Sequence, residues 1–325
     1  MDGSTRPLSR RAFVRSALLT SVAAAATAAR PIHEMIARGA TVADEVPPLA
    51  VHDPVVGVAA RGGGLLAVGG HASAPRVWTV ASDAHAWSAV AGDGAFPGST
   101  SLLDVAAHAT GFLATGWSET AEGPRPALFG SPDGSAWEPA TLPEVGHGVC
   151  LAVAANDGGA LAVGTTFTEP DVREPVRSVA FVSDIGGAWS EVPLEGVDAP
   201  RHGAVTMVTA TRAAFLLATV DVGGSRLYAS SSASGPWRAI AAPKTDQVVS
   251  FLATADTDAG VLLAGIDALD RPRFWTEGAR GWRETPAPSG IPASSHVVAF
   301  ARSPEALVAA GSDTSGSFVE EVTAA

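Results

Sequence analysis

Five tryptophans, Trp87, Trp137, Trp189, Trp237 and Trp282, each follow a short turn, and successive ones lie 50, 52, 48 and 45 residues apart. This period constrains the fold more than any other feature of the chain. Around each tryptophan the same shape recurs: an arginine opens an apolar run, a turn follows, and the tryptophan begins a second run. The clearest copy is RPALFGSPDGSAWEPA (Arg125 to Ala140), joined by RVWTVASDAHAWSAV (Arg76 to Val90) and RSVAFVSDIGGAWSEV (Arg177 to Val192). RLYASSSASGPWRAI (Arg226 to Ile240) and RFWTEGARGWRET (Arg273 to Thr285) are looser copies. Self-similarity at a period of 20–50 residues means an array of small units that bury their faces against one another.

Each period holds four short apolar runs. In the first they are Val55 to Ala60, Leu65 to Gly69, Val77 to Ala81 and Trp87 to Val90. The second run ends in a small-residue signature: LLAVGG, FLATGW, ALAVGT, FLLATV, VLLAGI and ALVAAG. No 3.6-residue period is visible, and strand-length runs bounded by Gly, Asp, Ser and Pro read as β. Four strands per repeat suit a propeller blade.

There are six pairs of first and second strands but only five tryptophan strands. The last repeat stops after its third run, SFVEEV, and Val42 to Pro47 (VADEVP) aligns with Trp189 to Pro193. The expectation is an all-β, six-bladed β-propeller of four-stranded blades, in which an N-terminal strand completes the last blade and removes two open sheet edges. The blades fall near 51–90, 99–140, 147–193, 203–241, 247–285 and 296–322 plus 42–47, so the propeller spans 42–325, after a linker at 30–41.

The turn Ser131-Pro132-Asp133-Gly134, followed by Trp137, resembles the Asp-box of the sialidase-like (BNR-repeat) propellers, one residue shorter than usual. Ser183-Asp184 before Trp189 is a degenerate copy. The resemblance covers architecture, and in that family the box is a structural hairpin: the aspartate satisfies turn amides and the tryptophan packs between sheets.

Ser9-Arg10-Arg11-Ala12-Phe13-Val14-Arg15 resembles a twin-arginine (Tat) export signal, with a weakly apolar stretch to Ala29 and Ala26-Thr27-Ala28 as a small-x-small cleavage site. Residues 1–29 are expected to be removed, leaving no membrane span and a product of the cell envelope or the medium. About 14 apolar residues are too few to cross a bilayer.

A net charge of -12, with Lys244 the one lysine, argues against a nucleic-acid partner. Cys150, the single cysteine, rules out an intramolecular disulfide and any Cys-based zinc site, and its apolar surroundings read as a buried thiol. No cofactor is expected, and the chain is read as a monomer.

In a propeller, ligands meet loops at one mouth of the central channel. Asp53, His147, His202 and His296 stand where the chain runs into an innermost strand. Histidines converging there could hold a metal, but the six-fold ring spaces them apart, so no metal is assigned. Arg76, Arg125, Arg177, Arg226 and Arg273 open the third strands; they could ring an acidic glycan or pair with acids of their own loops, such as Glu119, Glu122 or Asp221. The stretch Gly116 to Pro126, read as the loop after the second strand of blade two, offers Trp117 and Glu119 as a sugar-contact pair.

Enzymatic activity is harder to place. The tyrosine nucleophile of a sialidase has no counterpart, since Tyr228, the one tyrosine, aligns with the packing residues Trp78 and Trp275. Asp104 is the candidate for a catalytic acid, as the one acid well inside an innermost strand, but glycoside hydrolysis needs two carboxylates. The expectation is a non-catalytic exported propeller that binds a glycan or envelope protein at the channel mouth; the alternative is a divergent glycosidase or lyase acting there on an acidic sugar.

Overall fold

A computed structural model describes residues 54–322, apart from 72–73, 81–86, 92–94, 169–174, 185–186, 199–203, 212–213, 222–223, 247, 259, 270, 292–294, 303–306 and 314–315. The leader, the linker and the proposed closing strand at 42–47 lie outside the described residues, as do Asp53 and His202. Among the described residues every regular element is a strand, and no helix is long and apolar enough to cross a membrane.

The protein is a six-bladed β-propeller. Each blade is an antiparallel meander running outward, with neighbours in the sheet consecutive in sequence. The innermost strands are Val55–Arg61, Ser99–His108, Gly148–Asn156, Ala204–Ala210, Val249–Thr257 and His296–Arg302. Five sheets hold four strands, and the sixth holds three among the described residues, ending at Gly316–Val322. The outer strands are short: Glu138–Pro139 has two residues and Ser190–Val192 has three, which leaves little open edge for another chain to pair with.

The core lies between blades. Leu66, Val68 and Val77 of blade one pack on Leu102, Phe112 and Phe129 of blade two. The pattern repeats around the ring until Ala299, Ala301 and Val308 of blade six meet Val55, Val58 and Trp78 of blade one. Tyr228 and Trp275 are fully buried, Tyr228 against blade three and Trp275 against Phe251, so the packing role read from their alignment with Trp78 holds.

All six innermost strands carry a β-bulge at the same place. The register shifts between Val55 and Gly57, Leu102 and Asp104, Cys150 and Ala152, Val205 and Met207, Phe251 and Ala253, and Val297 and Ala299. A bulge bends and over-twists its strand. It also brings the preceding carbonyl onto the second strand, and this accounts for the small-residue signature. A Cβ on Gly69, Gly116, Gly164, Gly265 or Gly311 would lie between 1.8 and 2.6 Å from a carbonyl oxygen of the innermost strand or the residue leading into it. Only blade four places a larger residue, Thr219, at that position.

Candidate functional site: the central channel and its near mouth

The six innermost strands enclose a channel, with a cavity of about 210 Å³ on the side away from the strand starts. Its wall is mostly alanine and valine. Among the lining residues Asp104 is the one carboxylate and Arg302 the one cation. Arg302 is already engaged, donating to the Asp256 carbonyl at 3.3 Å and pairing with Asp258 at 2.9 Å.

Asp104 sits just past the bulge of blade two and is partly exposed to the channel. The equivalent residues of the other blades are Gly57, Ala152, Met207, Ala253 and Ala299. Its Oδ1 accepts the Val105 amide at 2.8 Å, and its Oδ2 accepts the Val153 amide of blade three at 2.9 Å. Burial among apolar walls pushes its carboxyl up to about 7, against the pull of those two amides. The carboxylate partner that two-acid hydrolysis requires is not among the residues lining this cavity.

The near mouth is where the innermost strands begin. The Phe167 amide donates to the His147 carbonyl at 2.9 Å, placing the end of a second strand beside the start of an innermost one. Arginines of the third strands gather on this side, and four of the five are engaged. Arg125 pairs with Glu122 at 2.6 Å and with Glu144 at 3.6 Å. Arg177 pairs with Glu191, and Arg226 with Asp198 and, at 3.5 Å, with Asp221. Arg273 holds Glu284 at 2.7 Å, Asp267 at 3.4 Å and Asp246 at 3.9 Å. Glu144, Asp198 and Asp246 lie on the segments that lead into innermost strands, so these arginines tie those segments to the blades. Arg76 stands opposite Gly69 and makes no ion pair among the described residues.

Trp117 departs from its expected place. The second strand of blade two runs Gly111–Thr120 and the third begins at Gly123, so the expected loop shrinks to two residues. Trp117 belongs to that strand and is only 7% exposed, packed with Val149 and Phe167. The Gly and Ser around it look like loop residues in sequence, but the glycine is there for the bulge. Glu119 follows on the same strand and is exposed. His147 and His296 are half-buried, the Nδ1 of His147 has no hydrogen-bond partner, and no three metal-binding side chains converge among the described residues.

The turn after the third strand of blade two is closed by side-chain hydrogen bonds. Asp133 Oδ1 accepts the Ser135 amide and hydroxyl, each at 2.8 Å, and the Ala136 amide at 3.4 Å; these bonds, the Ser135 amide foremost, hold its carboxyl below the usual range. Ser131 Oγ accepts the Gly134 amide at 2.8 Å, and Trp137 Nε1 donates back to the Gly134 carbonyl at 2.9 Å. Gly134 has φ +87°, and a Cβ there would also strike Leu66 of blade one at 2.3 Å. In blade three, by contrast, Ser183 Oγ turns to the carbonyls of Asp184 and Gly187.

Fold and channel together define the class: a six-bladed propeller with a small, apolar-walled channel. Solved structures with this architecture share little sequence with the chain. The fucose-specific lectin from Aleuria aurantia is 11% identical, with a TM-score of 0.54 over 83% of this chain and 95% of the lectin. The SapL1 lectin, solved with alpha methyl fucoside, is 14% identical, with a TM-score of 0.53 over 83% and 93%. A putative oxidoreductase (glucose dehydrogenase) from Thermus thermophilus is also 14% identical, with a TM-score of 0.51 over 83% and 97%. At such identities the likeness establishes the fold alone, and the differing activities of these proteins show that the scaffold does not choose one. No protein-family model matches the sequence, and no curated protein sequence matches it.

Proposed function

We propose that the chain is an exported, non-catalytic propeller of the sialidase-like, Asp-box type that binds a glycan or an envelope protein through the near mouth of its channel. The observation that carries this reading is the state of Asp104. Its two oxygens each accept a strand amide, and no second carboxylate lines its cavity. Propellers of the same fold serve as lectins, which fits a binding role. The leader with Arg10 and Arg11 supports export.

The reading favours a neutral partner over an acidic one. Four of the five arginines that could greet an anion are already neutralised by nearby acids. One observation favours the alternative, a glycosidase or lyase: a carboxyl that titrates near 7 suits a general acid.

Mouth variants of the full chain test the binding role on arrayed glycans. Glu119→Lys and His147→Ala are expected to weaken retention at least tenfold, with Asp104→Asn unchanged. Retention indifferent to both mouth variants would sink the reading. A blank array would leave an envelope protein as the partner, to be sought by crosslinking from the same two positions.

A further inference from the structure

Asp104 is not the only residue of blade two that departs from the repeat. Its cross-strand partner is Thr115, and the residues equivalent to Thr115 are Val68, Val163, Ala218, Ala264 and Ala310. Two polar residues therefore face each other at a pair of positions that is apolar in every other blade. Directly opposed residues share one face of the sheet, with their Cβ atoms about 5 Å apart. Thr115 is fully buried, and its Oγ1 has no hydrogen-bond partner. A buried hydroxyl left unbonded costs about 1–3 kcal/mol, so its retention asks for a state in which it is used.

The surroundings limit where the Asp104 side chain can go. On the side of blade one, a Cβ added to Gly57 would lie 3.1 Å from Asp104 Oδ1 and 2.9 Å from the Val105 amide nitrogen, so only glycine leaves room there. On the side of blade three, the Val153 amide reaches Oδ2 across the gap between innermost strands. A carboxylate accepts both amides with equal oxygens. A carboxylic acid keeps one good acceptor and gains a hydroxyl that must itself find an acceptor.

We propose that Asp104 is a proton-operated latch between blades two and three: ionised, it holds the Val153 amide, and protonated, it releases that amide and turns its hydroxyl to Thr115 Oγ1. Its titration near neutrality follows from burial against two amides, with no charged side chain contributing. The charged groups on the elements around it are engaged elsewhere or stand at strand ends, and Cys150, on the innermost strand of blade three beside Val153, is a buried thiol that burial pushes up to about 12. On blade one, Arg61 donates to the Ala109 and Pro132 carbonyls. On its own strand, His108 meets Thr110 at the far turn. Behind it Glu119 lies at the near end, Asp157 occupies the turn of blade three, and across the channel Arg302 is held by Asp258.

Amide hydrogen exchange at Val153, read by NMR on the full folded chain and corrected for the intrinsic pH dependence of exchange, tests the latch. Protection of Val153 is expected to fall at least tenfold from pH 8 to pH 5.5, while the amides of Val58 and Val208, at equivalent positions, hold steady. Asp104→Ala, which installs the residue of three other blades, is expected to abolish the change. Thr115→Val, which installs the residue of two, should move its midpoint to lower pH by removing the acceptor that favours the protonated form. Equal Val153 protection at both pH values, or the same fall in Asp104→Ala, overturns the latch; an unmoved midpoint in Thr115→Val removes Thr115 from it.

Discussion

Gly116 faces the Ser101 carbonyl so closely that a Cβ would lie 1.8 Å from the oxygen. Neither strand can yield, because both belong to the bulged hairpin at the centre of blade two. Gly116→Ala is expected to lower stability by about 3 kcal/mol, the upper end of what overpacking costs. Gly130→Ala, on the third strand of the same blade with nothing within 4 Å of its would-be Cβ, is expected to change it by less than about 0.5 kcal/mol. Urea midpoints at constant slope distinguish the two.

Trp137 closes the turn of blade two and packs against Phe96 with ring centroids 5.7 Å apart. Trp137→Ala removes that packing and the bond to the Gly134 carbonyl, and should destabilise by about 3–5 kcal/mol. Asp133→Ala unties the Ser135 and Ala136 amides and is expected to lower the Tm by a smaller amount. Thermal unfolding of both variants checks the order.

Much of this was legible in the sequence. The tryptophan period and the four runs per repeat were enough for a ring of six blades, five of them four-stranded among the described residues. The small-residue signature was visible too, but not its cause, because a bulge shifts register without leaving a residue type of its own. That is why Gly116 and Trp117 read as the start of a loop when they continue a buried strand. The pairing of Asp104 with Thr115 needs the register of a bulged hairpin, which no linear pattern supplies. The arginines were recognisable as a repeated feature, and Glu122 and Asp221 were foreseeable partners. Asp198, Asp246 and Glu284 were not, since they come from other strands or from the segments between blades.

Arg273 bridges three acids, one of them Asp267, whose side chain is fully buried and also accepts the Leu269 and Arg271 amides. Arg273→Ala leaves that buried carboxylate with one donor fewer and is expected to cost about 1 kcal/mol. Arg76→Ala, with no ion pair among the described residues to lose, should cost less than half of that. Tm values in low and high salt check the difference, which should shrink as salt screens the exposed partners.

The carboxyl of Asp104 titrates near 7 in the folded chain and near 3.8 as an ordinary aspartate. Between those values the folded state holds a proton that the unfolded state has released, so stability falls as pH rises from about 4 to about 7 and levels off above. Between pH 4.5 and pH 8 the protein should lose about 3 kcal/mol relative to Asp104→Ala. Urea unfolding of both proteins at pH 4.5 and pH 8 reads the difference directly.

The most direct test of a non-catalytic binding role follows one set of glycans for both retention and fate. The folded chain is incubated with arrayed neutral and acidic glycans at pH 7, retention is measured, and the glycans are then analysed by mass spectrometry for cleavage. A binding protein retains glycans, loses that retention in Glu119→Lys, and returns every glycan intact. Cleavage products that disappear with Asp104→Asn would contradict the binding role and make Asp104 the acid of a glycan-cleaving enzyme.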